Sequence, residues 1–136
     1  MIGSHVPDHS FRSTSRLQSI RFALRGIRLM LRSQPNARLH AAATILTVTL
    51  GLLLQITRSD WCWIVLAVVA VWTAEALNTA LEFLCDVASP EFHPLIEKAK
   101  DVAAGGVLIS ALGAATIGTL VLGPPLFTFL GGKSAW

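Results

Sequence analysis

Residues 61–87 read WCWIVLAVVAVWTAEALNTALEFLCDV, and this segment determines the architecture of the chain. Its first fourteen residues carry no charge, and polar side chains then follow at Glu75, Asn78, Thr79, Glu82 and Asp86. On a helix that advances about 100° per residue, these five side chains share one face about 100° wide. Ionisable residues inside a membrane are costly and usually functional. The pattern therefore predicts a membrane-spanning helix with a functional polar face on its second half.

Two further apolar runs flank this stretch. Residues 39–56 and 102–122 contain no Asp, Glu, Lys or Arg, and each is long enough to cross a bilayer. The whole chain of 136 residues is 53% hydrophobic and 14% charged, which does not suit a small soluble domain or a disordered chain. We predict three spans, at about 37–56, 61–87 and 100–122, and expect Gly123-Pro124-Pro125 to stop the third helix.

The N-terminal part of the chain is basic. Residues 15–33 alternate an apolar stripe with an arginine stripe at helical spacing, which predicts an amphipathic helix lying on the membrane surface. A topology signal without chemistry is the alternative, and nucleic-acid binding is disfavoured because the rest of the chain is apolar. Three spans place nine of the eleven lysines and arginines on the N-terminal side, so we expect that side to face the cytoplasm. Residues 1–14 are predicted to be a disordered tail and residues 131–136 a short tail.

Depth places the polar face near the cytoplasm. If Trp61 marks the outer interface, Glu75 lies about 21 Å below it, and Glu82 reaches the cytoplasmic boundary. A lipid headgroup and a cytosolic solute can meet there. One alternative is that these side chains only hold neighbouring helices together. Another is a proton or ion path, which is weakened because the outer halves of all three spans lack ionisable residues.

The segment Glu97-Lys98-Ala99-Lys100-Asp101 is predicted to open the third span at the same depth. A helix N-terminus favours phosphate, Lys100 could neutralise its charge, and Asp101 could accept from a sugar or an amine. The alternative is a charge cluster that only marks the membrane edge. On the third span, small residues recur every four positions and permit close helix packing, at Gly106, Ser110, Ala114 and Gly118. Three helices cannot enclose so wide a polar face, so we expect an oligomer.

These motifs resemble the prokaryotic diacylglycerol kinase family over about residues 16–125. The matching motifs are Glu75-Ala-Leu-Asn78-Thr-Ala-Leu-Glu82, Asp86, Pro90-Glu91-Phe92-His93-Pro94-Leu95 and Ala99-Lys100-Asp101-Val-Ala-Ala-Gly105. The resemblance implies an all-α membrane protein with an N-terminal amphipathic surface helix and three transmembrane helices. It also implies a homotrimeric bundle with active sites shared between subunits, and one kinase domain over residues 15–130.

The resemblance implies roles for individual residues. Glu75 matches the general base that takes the proton from the lipid hydroxyl, and Asn78 matches the residue that orients it. Glu82 matches the carboxylate that holds Mg²⁺ on the ATP phosphates. Further contacts to the nucleotide are implied for Phe22, Glu91, His93, Lys100 and Asp101. Two positions depart from the family: its second metal carboxylate falls at Gln34, a neutral amide, and an N-terminal arginine falls at Ser15, where Arg16 or Arg21 could substitute.

The implied reaction is ATP-dependent phosphorylation of a membrane lipid hydroxyl at the cytoplasmic face of the bacterial inner membrane. The segments Asn36-Ala-Arg38-Leu-His40 and 90–95 look more like the undecaprenol kinase branch of the family. Undecaprenol is therefore the expected substrate and diacylglycerol the alternative. A catalytically inactive membrane scaffold or regulator is the alternative of another class, since Gln34 replaces a carboxylate.

Overall fold

Four α-helices make up the part of the chain that the structure, a computed structural model, describes. Residues 15–89, 91 and 93–131 are described, so the predicted tail at 1–14 and most of the one at 131–136 lie outside it. The helices follow one another in the order α1 Arg16–Ser33, α2 Pro35–Leu53, α3 Arg58–Ala88 and α4 Pro94–Phe129. The predicted all-helical class is confirmed, with one helix for each predicted segment.

A single residue, Gln34, separates α1 from α2. The Ser15 hydroxyl accepts from the Gln18 amide and caps the start of α1, as short hydroxyl side chains commonly do. Gln34 has extended backbone angles, and Pro35 then occupies the first turn of α2, where its missing N–H costs nothing. This arrangement turns the chain sharply at Gln34, and its side chain consequently stands at the α1–α2 corner.

The connection between α2 and α3, residues 54–57, lies three residues earlier than the gap between the predicted spans. α2 ends at Leu53, and Gln55 turns the chain with a positive φ of 51°. Thr57 and Asp60 form a capping box, in which the Thr57 hydroxyl accepts from the Asp60 amide and the Asp60 carboxylate accepts from the Thr57 amide. Residues 57–60, which separate the predicted first and second spans, are therefore the cap and first turn of α3.

Gly51 allows this turn to pack tightly. A Cβ atom at this position would lie 2.9 Å from Trp61 Cη2 and 3.1 Å from Ile56 Cδ1. We predict that Gly51→Val destabilises the protein by about 1–3 kcal/mol, because the added side chain displaces the Trp61 ring. Thermal unfolding in detergent checks this. Gly113→Ala, whose Cβ meets nothing within 4 Å, is the control and should not lower the midpoint. Equal midpoints for the two variants would contradict this packing.

α4 is longer than the predicted third span at both ends. It begins at Pro94 because the His93 side chain accepts from the Leu95 amide and the His93 carbonyl accepts from Ile96 and Glu97. The first amides of α4 thus already have partners, and Lys100 and Asp101 lie beyond its first turn. The expectation that residues 97–101 open this helix is wrong, and with it the use of its N-terminus beside Lys100 as a phosphate site.

The expected stop at Gly123 does not occur either. α4 continues through Pro124 and Pro125 to Phe129. Proline has a helical φ, but it removes the hydrogen bond of its own nitrogen and its ring crowds the carbonyl four residues earlier. Gly123, having no Cβ, eases the contact between the Pro124 ring and the residue before it. The Thr128 hydroxyl donates to the Pro124 carbonyl and supplies one partner in this last turn.

Packing leaves most of the apolar surface uncovered. α3 packs most extensively on α4, α2 packs on α3, and α1 contacts both α2 and α3. α3 and α4 are long and apolar enough to cross a membrane, and most of their surface is exposed, unlike the core helices of a soluble protein. α2, which we predicted as the first span, has 19 residues and carries Arg38 and His40 in its first two turns.

Candidate active site

The polar face of α3 lies in the interior of the helix bundle over its second half. Glu75, Asn78 and Thr79 are buried, Glu82 is partly buried and Asp86 is exposed. The side chain of Glu75 is 1% exposed, and it is the largest fully buried side chain in the described chain. The Thr79 hydroxyl donates to the Glu75 carbonyl one turn earlier. The solvent exposure of this face increases from Glu75 towards Asp86. Such a gradient suits a site where a buried group reacts with an aqueous solute.

Glu82 is held by two side-chain amides. Gln34 Nε2 donates to Glu82 Oε2 at 2.6 Å, and Asn78 Nδ2 donates to Glu82 Oε1 at 2.9 Å. The second bond follows from the i, i+4 spacing on α3, while the first joins the α1–α2 corner to α3. The structure therefore brings together Gln34 and Glu82, the two positions to which the resemblance assigned metal binding.

Asn78 contacts a different carboxylate from the one that the resemblance implied. Its amide nitrogen donates to Glu82, and no hydrogen bond joins it to Glu75 among the described residues. The Asn78 Oδ1 atom is buried and has no hydrogen-bond partner there. The structure thus makes Asn78 a neighbour that fixes the Glu82 carboxylate.

Glu75 lies beside a histidine of the neighbouring helix. His40 Nε2 is 4.0 Å from Glu75 Oε2, with the two side chains 13% and 1% exposed. Both carboxylate oxygens of Glu75 and the His40 Nε2 atom are buried without a hydrogen-bond partner in the described chain. Buried polar groups are nearly always paired. The unpaired atoms of Glu75 and His40 therefore offer hydrogen-bond partners to a ligand hydroxyl.

The remaining predicted nucleotide contacts lie at the exposed end of α3 and α4. Lys100 Nζ pairs with Asp86 Oδ1 at 2.6 Å, one helical turn beyond Glu82. Asp101 is exposed. His93 serves as the cap of α4, and the Glu91 carbonyl accepts from the Ser89 hydroxyl. These four residues share the end of the bundle at which Glu82 lies.

Phe22 stands apart from this group. Its ring, in the second turn of α1, is half exposed and lies 5.7 Å below the Arg25 guanidinium carbon. A cation over a ring face is a favourable surface contact. The structure does not bring Phe22 into contact with the other predicted site residues.

Comparisons with known proteins identify the family. The sequence pattern of the family described as prokaryotic diacylglycerol kinase matches residues 21–122. The undecaprenol kinase of Bacillus subtilis is 34% identical over 119 residues, which cover 88% of this chain and 97% of that protein. The chain belongs to the prokaryotic diacylglycerol kinase family. It is therefore a membrane lipid kinase, and as a kinase it uses ATP.

Other relatives carry the second name found in this family. The diacylglycerol kinase of Synechocystis sp. is 34% identical over 115 residues, covering 84% of this chain and 66% of that protein. The diacylglycerol kinase of Escherichia coli is 27% identical over 93 residues, covering 68% of this chain and 76% of that protein. Membership of this kinase family favours an enzyme over the inactive scaffold.

The donor set at Glu82 fits a magnesium ion that arrives with a nucleotide. The described residues contain no group of three or more His, Cys, Asp or Glu side chains arranged to hold a metal. Mg²⁺ nevertheless often binds through one carboxylate with waters and substrate phosphates. Glu82 supplies that carboxylate, and Gln34 adds a side-chain amide to it, so a one-carboxylate site is compatible with these residues.

Sequence reasoning missed His40 as a site residue. Its signal was a lone histidine at the inner end of an otherwise uncharged run, residues 39–56. The helical wheel of α3 could not reveal it, because the contact joins two helices. Only the packing of α2 on α3 brings its imidazole to Glu75.

Proposed function

We propose that this chain transfers the γ-phosphate of ATP to the hydroxyl of undecaprenol at the cytoplasmic boundary of the bacterial inner membrane. The observation that carries the proposal is the buried, unpartnered carboxylate of Glu75, seven residues before the amide-held Glu82 on one face of α3. The similarity to the Bacillus subtilis undecaprenol kinase over 97% of that relative supports the choice of lipid.

In this mechanism Glu75 is the general base. Its carboxylate takes the proton of the lipid hydroxyl as the lipid oxygen attacks the γ-phosphorus of ATP. A new O–P bond forms, the P–O bond to ADP breaks, and the proton stays on Glu75 until solvent removes it. Burial and the absence of competing hydrogen bonds leave both oxygens of Glu75 available for this proton.

Glu82 would hold Mg²⁺, with the side-chain oxygen of Gln34 as the second candidate donor. The bound ion would neutralise negative charge on the phosphates. Asn78 and Gln34 fix the Glu82 carboxylate through their amides, so that it is oriented before the nucleotide arrives. Phosphoryl transfer depends mainly on such positioning and charge neutralisation, which a small site can supply.

The other contacts to the nucleotide follow the exposed end of the bundle. Lys100 neutralises phosphate charge, and Asp101, Glu91 and His93 line the approach to the site. Lys100 exchanges its pairing with Asp86 for the nucleotide phosphates. Phe22 on α1 takes part only if another subunit or the nucleotide reaches α1, since it contacts none of these residues in one chain.

Three membrane spans and a cytoplasmic N-terminus complete this proposal. α2, α3 and α4 cross the membrane and α1 lies on its inner surface, as one kinase domain over residues 15–130. The distribution of lysines and arginines supports this orientation, since nine of the eleven fall on the inner side. Arg38 and His40 then mark the inner boundary on α2.

We infer that the enzyme is a homotrimer with shared sites. The exposed apolar surface of a single chain is extensive and includes Leu77, Leu84, Val102 and Ile109. The small residues Gly106 and Ser110 on α4 permit a neighbouring helix to approach closely. Copies of the chain would cover part of this surface and close the open side of the polar face.

A lipid-preference assay tests the proposed substrate. Purified protein in mixed micelles receives labelled ATP with Mg²⁺ and either undecaprenol or diacylglycerol at matched surface concentration. We predict a kcat/KM for undecaprenol that is higher by on the order of tenfold or more, because the relative matched over 97% of its length is an undecaprenol kinase and the two lipids differ in shape. A preference for diacylglycerol would establish the second candidate, which the relatives of that name favour. Transfer to neither lipid would refute the proposed function.

A further inference from the structure

His40 lies between the buried carboxylate of Glu75 and an apolar groove, which the proposed mechanism does not connect. Its Nε2 atom lies 4.0 Å from Glu75 Oε2 and has no hydrogen-bond partner in the described chain. Its side chain also lines a largely apolar groove of about 680 Å³ between α2, α3 and α4. Thr47, Val68 and Ala115 line the same groove further along. His40 is thus the polar end of an apolar groove and is directed at the buried carboxylate.

The position of His40 is fixed by a contact one turn away. The Thr44 hydroxyl donates to the His40 carbonyl at 2.7 Å and accepts from Trp72 Nε1 of α3 at 3.1 Å. This link ties α2 to α3 next to the imidazole. Ala37, one turn before His40, is fully buried and allows the close approach of the two helices. The spacing between His40 and Glu75 therefore follows from helix packing.

We propose that His40 is a substrate-binding residue that holds the lipid hydroxyl against Glu75. An oxygen atom at about 2.7–2.9 Å from both His40 Nε2 and Glu75 Oε2 fits a gap of 4.0 Å between them. The hydroxyl then donates its proton to Glu75, while the Nε2–H group of the imidazole donates to a lone pair of the same oxygen. The hydrocarbon chain leaves along the groove.

This role rests on the proposed function and adds selectivity for an alcohol. A hydrogen bond from His40 aims the remaining lone pair of the oxygen, which fixes the direction from which the oxygen meets the phosphorus. A satisfied core histidine would have its partner within the bundle, whereas Nε2 has none in the described chain. The nucleotide site at Glu82 lies on another turn of α3, so loss of the imidazole affects the lipid and leaves Mg-ATP binding unchanged.

The test compares His40→Gln with His40→Asn, because the glutamine amide reaches the position of Nε2 and the asparagine amide does not. We measure kcat and KM for both undecaprenol and ATP in mixed micelles. His40→Asn should lower kcat/KM for the lipid by about 10- to 100-fold with an unchanged KM for ATP, while His40→Gln retains most of the wild-type value. Thr49→Val, an exposed position of α2 outside the groove, is the control and should behave as wild type.

Equal activity of the two His40 variants would overturn this inference. A loss of activity in both variants together with the same change in their KM for ATP would also overturn it. Glu75→Gln is assayed in parallel. If the wild type is active and Glu75→Gln is not, failure of the His40 prediction leaves the proposed function intact. If the wild type phosphorylates no lipid, the proposed function itself fails. Thermal unfolding of each variant verifies that the two compared proteins are folded.

Discussion

Glu75→Gln is expected to reduce lipid phosphorylation by about 10²- to 10⁴-fold while leaving Mg-ATP binding intact. Glutamine has nearly the shape of glutamate, so the packing around this buried side chain is preserved. It lacks the basic oxygen that takes the proton of the attacking hydroxyl. The loss should fall on kcat, because the proton moves only as the new O–P bond forms. Initial rates with labelled ATP and undecaprenol measure it, and nucleotide titration under the same conditions measures binding.

A matched variant separates this effect from a general loss of charge. Glu97 is an exposed carboxylate in the first turn of α4, outside the polar face of α3. Glu97→Gln makes the same chemical change and should leave the rate within about twofold of wild type, as most surface substitutions do. A Glu75→Gln enzyme that retains the wild-type kcat would show that another group accepts the proton.

Glu82→Gln is the second large prediction, with a loss of about 100-fold or more in kcat/KM for Mg-ATP. Glutamine still offers one oxygen to the amides of Gln34 and Asn78, so the local hydrogen bonding is partly kept. The negative charge that attracts Mg²⁺ is gone. Rates measured across a range of Mg²⁺ at fixed ATP should show a higher requirement for the ion, and the KM for the lipid should not change. Unaltered dependence on Mg²⁺ would remove Glu82 from the metal site.

Gln34→Glu makes the reverse change at the same site. The new carboxylate faces Glu82 across a distance that the Gln34 amide now closes at 2.6 Å. Two like charges so close repel each other until a cation joins them. We therefore expect this variant to saturate at lower Mg²⁺ than the wild type and to be less stable without it. A variant with an unchanged Mg²⁺ dependence would mean that the side chain of residue 34 does not contact the ion.

The polar face of α3 could be predicted almost completely from the sequence. Helical periodicity alone placed Glu75, Asn78 and Glu82 together, and the buried positions and the Asn78–Glu82 hydrogen bond agree with it. Contacts within one helix depend only on its geometry, which local spacing determines. The contact between Gln34 and Glu82 spans 48 positions and was expected only through the family resemblance.

Contacts between helices and the ends of helices were harder to predict. His40 meets Glu75 because α2 packs on α3 at one particular register, and no local pattern specifies that register. The start of α4 was hidden because His93 is an unusual cap and the segment after α3 reads as a polar loop. Pro124 and Pro125 looked like a stop, although the helix tolerates both beside Gly123.

Transfer of labelled γ-phosphate from Mg-ATP to undecaprenol, measured in vesicles that contain either the wild type or Glu75→Gln, tests most directly whether Glu75 is the base of a lipid kinase. We expect labelled lipid phosphate from the wild type, one for each ATP consumed, and almost none from Glu75→Gln despite equal nucleotide binding. Labelled lipid at similar rates from both proteins, or ATP consumed without any labelled lipid, would contradict this expectation.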